Sequence, residues 1–376
     1  MKILISINTF WNIYNFRVEL INALQSKGHE VIALAPKDAY ATKLEALGVK
    51  CVNINMNQQG INPFGDLKLI RDYYSIFKMI QPDLILSYTI KPNIYGNLAA
   101  KILAIPTINN ISGLGTIFIK KTLVSYVGRL LYKIGLTCSS HVFFQNNEDQ
   151  QLFIKYKLIK PTKNSVIPGS GVDTTYFKSN RTTNLGNRFL FVGRLIRDKG
   201  VIEFLEAALK ILQTYPDKQF LLIGELDCNN KTALNKSSLD YYLNQSSQIQ
   251  YLGKTDDIKS LLSEVDVMVL PSYREGLSKS LTEAASMSLP IITTDVPGCR
   301  EVVEHKFNGI LCQVKSMSSL ENAILEMILL SNETRHSMGL KGRLKIIDTF
   351  SNTIVIKTYL QQIKDIFTHQ NLNHEN

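Results

Sequence analysis

The most informative structural unit in the sequence is DVMVLPSYREGLSKSLTEAASMSLPIITTD, residues 266–295. It opens with a short apolar run that ends at Pro271, which is typical of a buried strand. A loop and a segment of helical composition follow, and PIITTD at 290–295 is a second apolar run. A strand, a helix and a strand in this order predict a parallel sheet covered by helices, and therefore an α/β fold.

The same alternation of apolar runs and amphipathic stretches continues along most of the 376 residues. Because this length exceeds what one hydrophobic core usually organises, we predict two doubly wound, Rossmann-like domains. The predicted strands are short and apolar, and they lie at 2–7, 30–36, 83–88, 106–111 and 141–146 in the first half, and at 188–193, 219–224, 248–253, 266–272 and 290–295 in the second.

A domain boundary is indicated near residues 166–187, which are rich in Gly, Ser, Thr and Asn and precede a new strand. Doubly wound sheets bind ligands at the carboxyl ends of their strands, so we expect the domains to face a cleft lined by strand-to-helix loops. The predicted organisation is an N-terminal domain at 1–170, a linker at 171–187, a C-terminal domain at 188–350, and a C-terminal helix and tail at 351–376.

Basic residues are unevenly distributed along the chain. Residues 1–180 hold 20 Lys and Arg against 10 Asp and Glu, whereas residues 181–376 hold 22 of each class. This excess predicts an anionic partner for the N-terminal half, for which nucleic acid, phospholipid and a diphosphate-bearing ligand all qualify.

The five cysteines form no C-x-x-C pair, which argues against structural zinc and for a reducing compartment. No run approaches the roughly 20 apolar residues that span a bilayer, so we expect a soluble or peripheral protein.

A cluster of cations follows the predicted strand at 188–193, in the segment VGRLIRDKG. Arg194 and Lys199 lie in a loop immediately before a helical segment, where cations oppose the helix dipole unless an anion offsets them. A diphosphate is the natural candidate, because guanidinium and ammonium groups both bind phosphate oxygens. A solvated, charged turn is the alternative.

Two acids, Glu275 and Glu283, stand eight positions apart around the predicted start of a helix. We predict that Ser278 caps this helix, so that the amides of the turn can meet an anion. The acids are too far apart for a carboxylate dyad, and they would instead contact two parts of one elongated ligand, such as sugar and ribose hydroxyls. The alternative is that Glu283 lies on a surface helix without a ligand.

These motifs together resemble the donor site of the family 4 retaining glycosyltransferases, which have the GT-B fold. The resemblance implies that the cations hold the diphosphate of a sugar nucleotide, and that the first acid contacts the transferred sugar and the second the ribose. It assigns catalysis to Arg194, Lys199 and Glu275, and donor binding to Gly193, Arg194, Lys199, Glu275, Gly276, Leu277, Ser278 and Glu283.

The N-terminal half is similar to family members that extend saccharides on undecaprenyl diphosphate, among them the N-acetylgalactosaminyltransferases of bacterial protein glycosylation. The similarity lies in IYNFR at 13–17, in residues 90–118 and in FFQNNEDQ at 143–150. It implies transfer of an N-acetylhexosamine or hexose from a UDP-sugar to a polyprenyl-diphosphate-linked saccharide, on the cytoplasmic face of the inner membrane. Acceptor binding is assigned to Asn15, Arg17, Ser112 and Gly113, with Arg17 at the opening of the first helix.

Several other features limit the chemistry. Many relatives carry a histidine near the reacting centre where this chain reads ISGLG at 111–115, so that role is not transferred. We expect neither His29, at a helix-to-strand turn, nor His141, which we expect to be structural, to be catalytic. The sequence has no D-x-D motif, and no complete G-x-G-x-x-G or P-loop motif, so we predict neither a metal nor a cofactor, and no dehydrogenase or P-loop activity.

The segment 117–136 predicts a basic amphipathic helix. Such a helix can lie on an anionic membrane surface or pack on its own sheet, and the basic N-terminal half favours the membrane. Its apolar face holds Ile119, Leu123, Tyr126, Val127, Leu130, Leu131 and Ile134, with Lys121, Arg129 and Lys133 lying away from it.

Two alternatives to a transferase remain open from the sequence. One is a sugar-nucleotide epimerase of the same fold, which would need no acceptor. The other is a non-catalytic protein that binds carbohydrate or nucleic acid through the basic half, although the donor motifs favour an enzyme without a nucleic-acid partner.

Overall fold

The structure is a computed structural model that describes residues 1–57, 62–114, 123–179, 186–226, 230 and 232–374. The chain forms two compact units, one of Met1–Ser170 with Asn352–Asn376 and one of Gly171–Ser351. No helix in these described ranges is long and apolar enough to cross a membrane.

The first unit contains a parallel sheet of seven strands in the order β3-β2-β1-β4-β5-β6-β7. Its central strands are apolar on both faces, because helices cover both sides of a parallel sheet. The strands are β1 Lys2–Ser6, β2 Glu30–Ala35, β3 Lys50–Asn53, β4 Leu84–Tyr88, β5 Thr107–Ile111, β6 His141–Phe144 and β7 Asn164–Val166. The helices between them are α1 Phe10–Ser26, α2 Ala41–Glu45, α3 Pro63–Ile80, a short π-helix Pro92–Gly96, α4 Asn97–Ile102, α5 Leu123–Leu136 and α6 Asn147–Lys155.

Helix α1 starts earlier than the sequence pattern suggested. The side chain of Thr9 accepts a hydrogen bond of 3.0 Å from the backbone N–H of Asn12, which caps the helix at Phe10. Arg17 therefore lies in the third turn of α1, and the prediction that it opens the helix is wrong.

The second unit contains a parallel sheet of six strands in the order β10-β9-β8-β11-β12-β13. This is the doubly wound arrangement, in which the chain starts at the centre and winds outward to both edges. The strands are β8 Arg188–Val192, β9 Gln219–Ile223, β10 Ile249–Tyr251, β11 Val267–Leu270, β12 Ile291–Thr294 and β13 Gly309–Cys312. The helices are a 3₁₀ turn Arg197–Lys199, α7 Val201–Thr214, α8 Lys236–Leu243, α9 Ile258–Glu264, α10 Lys279–Ser286, α11 Met317–Leu329 and α12 Asn332–Thr349.

The last helix, α13 Asn352–His374, belongs to the first unit. Tyr359 of this helix is fully buried there, with its ring centroid 4.9 Å from that of Phe143, and its hydroxyl accepts a 3.0 Å hydrogen bond from Asn110 Nδ2. Residues 171–179 belong to the second unit, where Phe177 joins the core. A linker role for 171–187 stays a prediction.

Each of the ten predicted strands is present, and the α/β prediction is confirmed. The three strands that the sequence pattern missed are β3, β7 and β13. Strands β3 and β7 lie at the edges of their sheet and contain no fully buried residue, so they lack an apolar run. Strand β13 begins with Gly309, where a Cβ atom would lie 2.3 Å from the carbonyl oxygen of Ile291. Close packing therefore requires glycine at this position, and glycine weakens the sequence pattern of a strand.

Candidate active site

The candidate active site lies at the carboxyl ends of β8, β11 and β12 in the second unit. Three loops, at 193–200, 271–278 and 295–301, leave the sheet at neighbouring strands and carry the charged residues of the donor motifs. Because the strands are parallel and adjacent, their carboxyl ends share one edge of the sheet.

The first two loops are joined through backbone contacts. Asp198 offers its carbonyl oxygen to the N–H of Tyr273 at 2.9 Å and to the hydroxyl of Ser272 at 3.2 Å. Gly200 has φ +74°, and a Cβ atom there would lie 2.1 Å from the carbonyl oxygen of Pro271, so only glycine permits this approach. The two loops therefore have a fixed separation.

This separation brings Lys199 and Glu275 together. The Lys199 ammonium donates a hydrogen bond to Glu275 Oε1, and both side chains are largely buried. The pair places a cation and a carboxylate side by side at the end of the sheet, largely buried, where charge interactions are stronger than in bulk water.

The third loop holds Glu275 from the other side. The N–H of Glu275 donates to the carbonyl of Pro297 at 3.0 Å, and the N–H of Ser278 donates to the carbonyl of Gly298 at 3.1 Å. Gly298 has φ +81°, and a Cβ atom there would lie 2.5 Å from Glu275 Cβ. Glu301 Oε2 accepts the Gly298 N–H at 2.6 Å.

Gly298 and Glu301 were missed by the sequence analysis. A signal was present, because PGCRE at 297–301 follows the predicted strand PIITTD and must therefore leave the same edge of the sheet.

Ser278 occupies the N-cap position of α10, but its side chain makes no capping hydrogen bond. Its hydroxyl lies 3.2 Å from that of Ser280 instead. The prediction that the Ser278 side chain caps the helix is therefore wrong. The Ser278 side chain therefore accepts no hydrogen bond from the first N–H groups of α10. Those N–H groups lie at the positive end of the helix dipole, which favours an anion.

Glu283 is buried inside α10, with 7% of the residue exposed. Its Oε1 lies 3.5 Å from the Lys279 ammonium one turn earlier. Burial raises the pKa of Glu283, and the Lys279 charge offsets part of that rise. Glu283 is thus not an ordinary surface residue, and Glu275 and Glu283 have separate lysine partners.

Gly193 and Arg194 begin the first loop. Gly224, at the end of the neighbouring strand β9, packs against this position so tightly that a Cβ atom would lie 1.8 Å from the carbonyl oxygen of Gly193. The next residue, Leu195, donates its N–H to the carbonyl of Glu225 at 3.0 Å. Arg194 stands on this rigid turn with an exposed side chain.

Tyr273 and Glu203 form a second connection that the sequence analysis missed. The Tyr273 hydroxyl donates to Glu203 Oε1 at 2.5 Å, which ties the loop after β11 to the first turn of α7. Burial, together with Glu203, raises the pKa of Tyr273, so the hydroxyl remains a donor. Because Tyr273 is two residues before Glu275, this bond restrains the loop that carries the acid.

Arg17 of the first unit is buried, with only 5% of the residue exposed. Its guanidinium lies over the ring of Tyr88, 4.1 Å from the centroid, and Nε has no hydrogen-bond partner. Arg17 forms no ion pair with any residue that the structure describes. A buried cation without an acid is costly unless a ligand supplies the negative charge.

The other predicted acceptor residues are less closely grouped. Ser112 and Gly113 follow β5, next to the β4 strand that ends at Tyr88, so they share a sheet edge with the Arg17 contact. Asn15 lies elsewhere on α1, where its side-chain amide donates to the carbonyl of Trp11 at 2.9 Å.

The two histidines considered from the sequence have structural surroundings. His141 Nε2 lies 2.9 Å from the hydroxyl of Ser165, and burial lowers the pKa of His141 to about 4. His29 lies between α1 and β2, and burial also lowers its pKa. Within the described residues, no cluster of three His, Cys, Asp or Glu side chains is arranged to hold a metal ion.

Comparison with known proteins gives consistent matches over both units. Residues 172–345 match the family described as Glycosyl transferases group 1, and residues 2–146 match the family described as Glycosyl transferase 4-like. The fold is similar to that of a glycosyltransferase from Rickettsia africae ESF-5, with a TM-score of 0.79 and 19% identity over 97% of this chain and 98% of that chain.

Two characterised relatives are similar over most of their length. The chain is 31% identical over 369 residues to the N,N'-diacetylbacillosaminyl-diphospho-undecaprenol alpha-1,3-N-acetylgalactosaminyltransferase of Campylobacter jejuni subsp. jejuni serotype O:2, covering 93% of this chain and 95% of that protein. It is 28% identical to the UDP-Gal:alpha-D-GlcNAc-diphosphoundecaprenol alpha-1,3-galactosyltransferase of Escherichia coli, covering 84% and 82%.

Two parallel doubly wound units with these matches define a glycosyltransferase of the GT-B class. The chain belongs to the family 4 glycosyltransferases. The predictions of fold, family and enzyme class are therefore confirmed.

Proposed function

We propose that the protein transfers a hexose or N-acetylhexosamine from a UDP-sugar to a saccharide linked to polyprenyl diphosphate, with retention of anomeric configuration. The observation that carries this proposal is the joining of Lys199 and Glu275 at the end of the sheet, beside Arg194 and the start of α10. The printed activities of the two relatives, both on diphospho-undecaprenol-linked sugars, support the acceptor class.

The donor would lie along the end of the second sheet. Lys199 has three N–H donors, so it can keep Glu275 in place and still bind a diphosphate oxygen. Arg194 and the first amides of α10 would bind the remaining phosphate oxygens. Glu275 would accept hydrogen bonds from hydroxyls of the transferred sugar, and Glu283, deeper in α10, from the ribose.

Catalysis would then consist of positioning and charge stabilisation, without a side-chain nucleophile. The bond between the anomeric carbon and the diphosphate oxygen breaks, and the acceptor hydroxyl attacks from the same face. The leaving diphosphate takes the proton of that hydroxyl. Lys199 and Arg194 stabilise the charge that develops on the diphosphate, and no metal ion is required.

The acceptor would bind to the first unit. Arg17 supports this assignment because it is a buried cation for which the described residues supply no acid. We propose that an anionic group of the lipid-linked acceptor reaches this cation, with Ser112 and Gly113 at the same sheet edge.

Helix α5 would attach the first unit to the membrane. Its packed face holds Gly135, where a Cβ atom would lie 2.9 Å from Ile94 Cα, and the buried side chains of Tyr132 and Leu136. Its apolar face is turned outward, with Tyr126 60%, Leu130 57% and Ile134 46% exposed, and Lys133 is exposed beside it. The Arg129 guanidinium lies over the rings of Tyr126 and Tyr156, at 4.5 and 4.7 Å. Ile119 and Lys121 lie outside the described residues.

An outward apolar stripe flanked by cations is suited to an anionic bilayer surface, where apolar burial and charge attraction add. In the alternative, this stripe would pack on the unit, but the buried side of α5 holds Ser125, Tyr132 and Leu136, and Leu131 is the stripe residue that packs against the core among the described ones. We therefore propose a peripheral enzyme on the cytoplasmic face of the inner membrane.

Replacing Leu130 and Ile134 with serine should weaken binding to anionic vesicles about thirtyfold, because two half-exposed apolar side chains contribute about 2 kcal/mol at an interface. Vesicle co-sedimentation measures the change. Leu344→Ser is a matched control, since Leu344 is 61% exposed on α12 of the other unit. Equal vesicle binding by the double variant and the wild type would exclude α5 as the anchor.

Incubation with UDP- and GDP-sugars and polyprenyl-diphosphate-linked acceptors tests the proposed activity directly. We expect mass spectrometry to show one added hexose or N-acetylhexosamine with a UDP-sugar donor, and NMR to show an α-linkage formed from an α-linked donor. Acceptors with N,N'-diacetylbacillosamine or GlcNAc as the first sugar are the natural starting set. Epimerised nucleotide sugar formed without any acceptor would instead identify an epimerase.

A further inference from the structure

The first unit contains a cavity of about 540 Å³ that neither the donor motifs nor Arg17 uses. It lies at the carboxyl ends of β2 and β3, where Pro36 and Asn53 line it, and it extends to the first turn of α3. This is the sheet edge at which ligands of doubly wound sheets bind. Its position is therefore that of a ligand-binding cavity, and the ligand of this unit is the proposed acceptor.

The inner wall of the cavity is built around Asp66. This aspartate is 5% exposed and accepts hydrogen bonds from the Lys91 ammonium at 2.8 Å, the Tyr95 hydroxyl at 2.8 Å and the backbone N–H of Asn62 at 3.1 Å. Three donors on one buried carboxylate hold Lys91 in a single position. Asp66 thus acts as a positioning residue, with Lys91 presented to the cavity.

The charge of the lining is not balanced. Three lysines, Lys37, Lys68 and Lys91, line the cavity with one aspartate. Asp66 forms an ion pair with Lys91, whereas Lys37 and Lys68 form no ion pair with any residue in the described part of the chain. The cavity therefore carries two uncompensated cations, which favour an oxyanion.

The remaining lining indicates that the oxyanion is attached to a sugar. Carboxamides of Asn53, Asn55, Asn57 and Asn62 line the same cavity. Carboxamides donate to and accept from hydroxyl and acetamido groups, and the volume is much larger than a phosphate ion needs. Asn53 Oδ1 already accepts the Lys37 N–H at 2.8 Å and Asn62 Oδ1 the Gly65 N–H at 3.2 Å, so the side-chain N–H groups of these two residues would be the ones to bind sugar oxygens.

We propose that this cavity is a subsite for an oxyanion-bearing sugar of the acceptor, with the oxyanion held by Lys37, Lys68 and Lys91 and the sugar by the asparagines. The inference rests on the proposed transfer to a saccharide acceptor. The oxyanion is a phosphate ester or a sugar carboxylate, and the probes below distinguish them.

The full-length protein is titrated with N-acetylglucosamine 1-phosphate, glucuronate and methyl N-acetylglucosaminide, and binding is measured by ligand-observed NMR. We expect the charged sugars to bind more tightly than the neutral glycoside. Lys37→Gln/Lys68→Gln should weaken binding of the charged probe about tenfold or more, because two charge-assisted contacts are removed. Both lysines are exposed and unpaired within the described residues, so the variant is expected to fold.

Lys101→Gln, an exposed lysine of the same unit outside the cavity, is the matched control and should leave probe binding unchanged. UDP affinity should be equal in all variants, because the proposed donor site lies in the second unit and the substituted lysines lie in the first. Tighter binding of the sugar phosphate assigns the oxyanion to a phosphate ester, and tighter binding of glucuronate assigns it to a carboxylate. Equal binding of all three probes, or no effect of the double substitution, would overturn the proposal. Because probe binding is measured without transfer, failure of the subsite and failure of the proposed activity give different results.

Discussion

Replacing Lys199 with alanine is expected to lower kcat/KM for sugar transfer about a thousandfold. Loss of one preorganised charge at a developing oxyanion typically reduces catalysis by about two to three orders of magnitude. Here the substitution also leaves the largely buried Glu275 without its cation. Steady-state assays with the identified donor and acceptor measure the change.

Lys210→Ala is the matched control, because Lys210 is an exposed lysine on α7 of the same unit. It should retain wild-type kcat/KM. Circular dichroism of Lys199→Ala separates a catalytic loss from unfolding. A reduction of less than tenfold in folded Lys199→Ala would show that the diphosphate is stabilised elsewhere.

Replacing Glu283 with alanine is expected to raise the Kd for UDP about thirtyfold. A hydrogen bond from a ribose hydroxyl to a buried carboxylate contributes about 2 kcal/mol, because the acceptor is charged and lies in a low-dielectric site. Burial in α10 supports this size of effect, since water cannot readily replace the carboxylate. Isothermal titration calorimetry with UDP measures the change.

Glu275→Ala provides the contrast. It should leave the Kd for UDP within about threefold and lower kcat about a hundredfold, because its proposed contact is with the transferred sugar, which UDP lacks. Equal UDP affinity in wild type and Glu283→Ala would remove the ribose assignment. A large loss of UDP affinity in Glu275→Ala would place the two acids in the opposite order along the donor.

The site shows which kinds of residue a sequence pattern can find. Lys199 and Glu275 were identified because charged residues after apolar runs stand out, and the structure pairs them. Glu301 also follows an apolar run, but its role depends on holding Gly298, which packs against Glu275 of another loop. Tyr273 is an uncharged residue, and its role depends on its hydrogen bond to Glu203 at the start of α7.

For helix α5, the sequence pattern could not show whether the apolar face points inward or outward. The sequence defined an apolar stripe on this helix, but an apolar stripe usually faces the core. The structure turns it outward because the opposite face of α5, with Gly135 against Ile94 and with Tyr132 and Leu136 buried, makes the contact with the unit. Only the packing could distinguish the two arrangements.

The sequence by itself determined the fold class, ten of the thirteen strands, the family and the charged loops of the donor site. These follow from local order, because apolar periodicity and turn residues act over a few neighbouring positions. The tertiary structure alone decided the burial of Glu283, the burial of the Arg17 cation over the Tyr88 ring, the outward face of α5 and the lysine-lined cavity around Asp66. Each of these depends on residues that are distant in the chain, and the Arg17 contact and the cavity form only because the parallel strands bring their carboxyl ends to one edge of a sheet.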